Sequence, residues 1–76
     1  MSVTVHMHGN LRRFMPEGRD CTTMEVTPGT SVAALLASLG ADRDIWLVAV
    51  NGVTCEPDRI LQEGDLLDCF EPVAAG

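Results

Sequence analysis

Residues 27–40, TPGTSVAALLASLG, carry the clearest local signal in the chain and limit what the rest can build. Pro28 and Gly29 make a turn, and Thr30 or Ser31 can cap the free backbone N–H groups at a helix start. Val32, Leu35, Leu36 and Leu39 then fall at i, i+3, i+4 and i+7, one apolar stripe, and Gly40 stands where a left-handed C-terminal cap would be. A helix this short is marginal alone in water, so its stripe must pack against strands.

Strand patterns lie on both sides of it. In VTVHMH, Val3, Val5 and Met7 alternate with Thr4, His6 and His8, the period of a half-buried strand. Residues 9–20 mix Gly, Asn, Pro and charges around Leu11, Phe14 and Met15, which predicts a connecting loop pinned by apolar anchors. A second strand over 21–27, with Met24 and Val26 on one face, would close a hairpin with the first. The apolar run from Ile45 to Val50 reads as a buried strand ending at Asn51-Gly52, a dipeptide suited to positive φ. Pro57-Asp58 and Gly64-Asp65 mark further turns, with Ile60 and Leu61 as anchors between them, and LLDCFE is the last strand. If Leu67 and Cys69 point inward there, Leu66, Asp68 and Phe70 point outward, and Pro72 ends the ladder.

The expected architecture is therefore α+β, a mixed sheet of four to five strands with one main helix packed on one face. One helix cannot cover both faces. Leu66 and Phe70 would lie on the uncovered face, which makes them candidates for contact with a partner.

At 76 residues the chain is one domain, spanning 1–76. With 46% apolar residues it is too hydrophobic for intrinsic disorder, yet it has no apolar run near the ~20 residues of a membrane helix. The first residues lack the basic start and apolar stretch of a signal peptide, so a soluble protein in the cytoplasm is expected, with no membrane partner. The net charge of −6 carries no basic patch against it, which argues against nucleic acid. Cys21, Cys55 and Cys69 match neither a disulfide framework nor a paired zinc set and read as buried thiols. His6 and His8 share a strand face, but two imidazoles without a third ligand hold a metal weakly, so they read as solvent-facing and no metal site is assigned. No Ser-His-Asp or Cys-His constellation is evident, and nothing resembles a stand-alone active site.

Val50-Asn51 before a turn, Gly64-Asp65 before the last strand, and the ending Pro72-Val73-Ala74 with Gly76 last bring a family into view. The chain resembles the MoaD/ThiS family of ubiquitin-like, β-grasp sulfur carriers, and is most similar to its MoaD branch, the small subunit of molybdopterin synthase. The strand and helix order agrees over the full length. The family places a second glycine where this chain has Ala75.

That resemblance implies a β-grasp domain with residues 72–76 as a flexible reactive tail. A carboxylate is a poor acyl donor, so the resemblance implies an adenylating partner of the MoeB/ThiF type that spends ATP to activate the Gly76 carboxylate before sulfur replaces the adenylate. No tightly bound cofactor is expected on the chain itself. A terminal glycine suits a narrow channel because it lacks Cβ, and Pro72 to Gly76, with Val73, Ala74 and Ala75 between, could reach ~16 Å when extended. By the same resemblance a larger, MoaE-like subunit would hold the pterin precursor and the catalytic side chains. A carrier for thiamine thiazole, a protein modifier and a non-reactive adaptor remain alternatives, and the recipient of the sulfur is not written in these residues.

Overall fold

The computed structural model of the chain describes residues 1–15, 18–41 and 47–71. Among them the order is β1 (Ser2–Met7), a 3-10 helix (Gly9–Phe14), β2 (Cys21–Glu25), α1 (Val32–Ser38), β3 (Leu47–Val50), β4 (Val53–Cys55) and β5 (Leu66–Phe70). The sheet runs β2-β1-β5-β3-β4. β1 and β5 are parallel at its centre, and the outer pairs are antiparallel. A parallel pair cannot be joined by a tight turn, and the intervening chain, including α1, supplies the crossover.

Alternation along the strands sends one set of side chains toward α1. Val3, Val5 and Met7 from β1, Val48 and Val50 from β3, and Leu67 and Cys69 from β5 are buried there with Val32, Leu35 and Leu36 of the helix. Leu11, Met15, Ala41 and Leu61 close the edges of this core. Each fully buried aliphatic side chain contributes about 1.5–3 kcal/mol relative to exposure, so the inward row specifies the register: a one-residue slip would turn it to water.

The backbone groups at both ends of α1 find partners, at the N-terminus partly from the distant segment Pro57–Arg59. The Ser31 hydroxyl accepts from the Ala34 N–H at 3.1 Å, while the Val32 and Ala33 N–H groups donate to the carbonyls of Arg59 and Pro57 at 2.9 and 2.8 Å. At the other end the Gly40 and Ala41 N–H groups return to Ala37 and Leu36, each at 3.0 Å. This closure needs a left-handed residue, and Gly40 takes φ +75°.

Several expectations need correction. β3 ends at Asn51-Gly52 as expected, but the turn there, with φ +53° and +83°, leads into a further strand that the sequence pattern does not predict, β4, with Val50 opposite Val53. Three residues on a sheet edge, with Val53 66% exposed, leave little apolar alternation to read. The connector after β1 is wound as a 3-10 helix over Gly9–Phe14, which turns Leu11 fully inward. β2 stops at Glu25, although the Val26 N–H still donates to Met1. Ile60 is half exposed in an isolated bridge to Ser31, leaving Leu61 as the buried member of that pair. Of the cysteines only Cys69 is buried, and Cys21 is exposed. Residues 45–46, expected in β3, lie outside the described residues.

Candidate functional site

The face of the sheet turned away from α1 carries the outward residues of β5: Leu66, Asp68 and Phe70 alternate with buried Leu67 and Cys69, as the sequence predicts. Leu66 is 38% exposed and Leu47, opposite Phe70 on β3, equally so. Phe70 is half-buried because the His8 ring stacks on it, centroids 4.3 Å apart and planes 14° from parallel. Phe70 thus sits on the uncovered face, but it is screened on one side.

β5 leads directly to the last five residues of the chain. Its end is held by the residues that follow β1: the His8 N–H donates to the Cys69 carbonyl at 3.0 Å, and Arg13 of the 3-10 helix approaches the Glu71 carboxylate at 3.7 Å. Gly9, at φ +61°, packs so close that an added Cβ would stand 3.3 Å from a Glu71 carboxylate oxygen. The end of β5 is therefore held as far as Glu71 by the residues that follow β1, with Leu47 of β3 opposite Phe70 on its other side. Pro72, Val73, Ala74, Ala75 and Gly76, the residues assigned to the reactive tail, lie outside the described residues.

Asn51 and Asp65, which mark two turns in the sequence, meet. The Asn51 amide donates to Asp65 Oδ1 at 3.0 Å, the Gln62 N–H donates to Asp65 Oδ2 at 2.8 Å, and the Leu66 N–H donates to Asn51 Oδ1 at 2.9 Å. Asp65 is the buried charged side chain among the described residues, 6% exposed. Its partners compensate for lost hydration, and the result fixes the start of β5.

His6 and His8 have no third group near them in the sequence, and the fold provides one. In the parallel register His6 stands opposite Asp68. His8 Nε2 lies 2.9 Å and His6 Nδ1 3.3 Å from the same Asp68 oxygen. A pairing between strands 60 residues apart leaves no trace in local spacing. The nearby Cys69 thiol is no nucleophile: burial first, then the charge of Asp68, pushes it up to about 12.

Residues 12–76 match the sequence profile of the ThiS family. The chain belongs to the ThiS family. No curated protein sequence matches it. Among solved structures, this ThiS-family chain is similar to SAMP1 from Haloferax volcanii, with TM-score 0.77, 22% identity and 100% of each chain covered. It is equally similar to a protein described as molybdopterin converting factor, subunit 1, from Pyrococcus furiosus, with TM-score 0.77, 23% identity, and 96% and 99% of the two chains covered. A second crystal structure of the Haloferax volcanii protein, there called small archaeal modifier protein 1, gives TM-score 0.75 at 21% identity, with 95% and 98% covered. The fold they share with this ThiS-family member is the ubiquitin-like β-grasp.

Proposed function

We propose that this chain is a sulfur carrier whose working group is the Gly76 carboxylate. The observation that carries this reading is the ThiS-family match running through residue 76, on a fold whose central strand β5 delivers the sequence PVAAG. An adenylating partner attacks ATP with the carboxylate and releases pyrophosphate, giving an acyl-adenylate. A hydrosulfide-level donor then attacks the acyl carbon, AMP leaves, and a thiocarboxylate remains. The recipient is a molybdopterin precursor held by a larger, MoaE-like subunit. The likeness to molybdopterin converting factor subunit 1 and the Pro72-Val73 step favour this recipient over a thiazole. The open face around Leu66 and Phe70 serves as the docking surface, beside the root of the tail.

The full-length likeness to a small archaeal modifier protein favours one second reading, in which the same activated carboxyl is joined to protein amines. The chain has no lysine, so a modifier of this sequence would have no side-chain amine on which to build a chain of copies.

Intact-mass analysis of the protein from its native cell separates these. A carrier shows a fraction in which one oxygen is replaced by sulfur, and deletion of Gly76 abolishes transfer without moving the melting temperature. Isopeptide adducts without the sulfur form would establish the modifier. An unmodified terminus under sulfur-replete conditions would leave a non-reactive adaptor.

A further inference from the structure

We propose that His6, His8 and Asp68 form a binding site for a divalent transition-metal ion such as zinc, on the sheet face away from α1. The three side chains come from the two central parallel strands and the residue after β1, and each offers a ligand atom within 4.8 Å of the others. Both imidazoles turn a nitrogen toward one carboxylate oxygen, at 2.9 and 3.3 Å. Ligand atoms about 2.0–2.2 Å from a shared ion stand about 3–3.5 Å apart, so the chain already holds a spacing that an ion could occupy with small side-chain adjustments.

What surrounds the triangle also suits a metal. A ligating imidazole is held and made more basic when its second nitrogen faces a carboxylate. His6 has that arrangement: with Nδ1 directed at Asp68, its Nε2 lies 4.0 Å from Asp20 Oδ2. The His8 ring is held in plane by its stack on Phe70 and lies 4.0 Å, centroid to centroid, from His6. Two nitrogen ligands select zinc, copper, nickel or iron over magnesium or calcium, which take oxygen. Three protein ligands on a half-exposed face leave the remaining position to water. The net charge of −6 favours a cation in general. An ion here would link β1 to β5 just ahead of Glu71, and so brace the strand that presents the tail.

The test is calorimetric titration of the full chain with zinc chloride under thiol-reducing, non-chelating conditions, paired with nitrogen-detected spectra of the imidazoles. One equivalent should bind at micromolar concentration, with shifts at His6 Nδ1 and His8 Nε2. His6→Gln, His8→Gln and Asp68→Asn should each weaken binding at least as much as the about tenfold to hundredfold expected for Asp20→Asn, which removes only the supporting carboxylate. The two histidine variants lie on the open face and keep the test valid if Asp68→Asn fails to fold. Imidazole signals unmoved at millimolar zinc would overturn the proposal. So would tight binding that survives both histidine substitutions, because the ion would then sit elsewhere.

Discussion

The Asn51 side-chain amide spans from the β3–β4 turn to the buried carboxylate of Asp65, 3.0 Å away, and so ties two turns that the sequence separates by 14 residues. Asn51 does this from a left-handed backbone, φ +53°, while its own oxygen accepts from Leu66 at 2.9 Å. One residue therefore satisfies the turn geometry, a buried charge and the first N–H of β5. A side chain with both donor and acceptor is required, which excludes aspartate and alanine for different reasons.

Asn51→Ala should destabilise the fold by about 2–4 kcal/mol, from a hydrogen bond lost to a buried charge and a Cβ left in the left-handed region without compensation. Asn51→Gly should relieve the backbone part and lose less. Urea denaturation of the two variants measures the difference. If both unfolded alongside the parent protein, the tie between the turns would contribute nothing.

Cys69 sets an alkaline limit on stability. Its thiol ordinarily ionises near 9.0, but in the fold burial and then Asp68 and Cys55 push it up to about 12. Below the lower value both states keep the proton and no stability is lost. Between the two values the unfolded chain releases it and the folded chain does not, so stability falls with rising pH by up to about 1.4 kcal/mol per unit. The chain has no lysine and no tyrosine to obscure this window. Cys69→Ala should be less stable at neutral pH and show a flatter decline between pH 9 and 12. An unchanged slope would mean the thiol ionises freely in the fold.

Thiol accessibility gives an independent check. Cys21 is exposed on β2, whereas Cys69 has no exposed surface. Iodoacetamide at mildly alkaline pH should alkylate Cys21 while Cys69 stays unmodified until the protein is unfolded, read by peptide mass mapping. Early labelling of Cys69 would contradict the inward facing of β5.

How much of this was legible depends on the range of the interaction that fixes each part. The α1 stripe, the Ser31 cap and Gly40 are local, and the sequence shows them within one heptad or two. The inward row of β1 and β5 follows from period-two alternation alone. β4 does not, because its pairing is set by the positive-φ turn before it rather than by its own three side chains. The 3-10 helix was hidden by its glycine, asparagine and arginines, and only the burial of Leu11 reveals why it winds. The open face is partly readable: alternation along β5 puts Leu66 and Phe70 on it, but the convergence of His6 and His8 on Asp68 arises from a parallel register that no spacing encodes.

Substitution of Phe70 should separate binding from folding. It is half-buried on the open face, with His8 stacked against it and the core on the other side of the sheet. Phe70→Ala should cost the fold about 1–2 kcal/mol, an aromatic pair together with part of the ring's burial, yet weaken the complex with the proposed adenylating enzyme by about 2 kcal/mol or more, roughly thirtyfold. Calorimetry against that enzyme, alongside a melting curve, gives both numbers. Intact affinity with a large loss of stability would place the docking surface elsewhere.

By its resemblance to the MoaD/ThiS carriers the chain would be expected to have a second glycine where Ala75 stands, and the proposed chemistry depends on whether an activating enzyme accepts the alanine. A Cβ there excludes positive φ and widens the tail by one methyl, which a channel shaped for two glycines should resist. An extended backbone needs only negative φ, however, and alanine adopts that readily, so a channel slightly wider at this point would take the chain as it stands. The enzyme from the same cell should therefore adenylate the native sequence, and Ala75→Gly should change the rate less than about tenfold, the equivalent of about 1.4 kcal/mol of barrier. An enzyme from a diglycine system should gain more from the same substitution. Pyrophosphate exchange with both proteins and both enzymes measures all four rates. A native sequence inert with its own enzyme, beside a reactive glycine variant, would remove the carrier function and leave a β-grasp adaptor that has lost its chemistry.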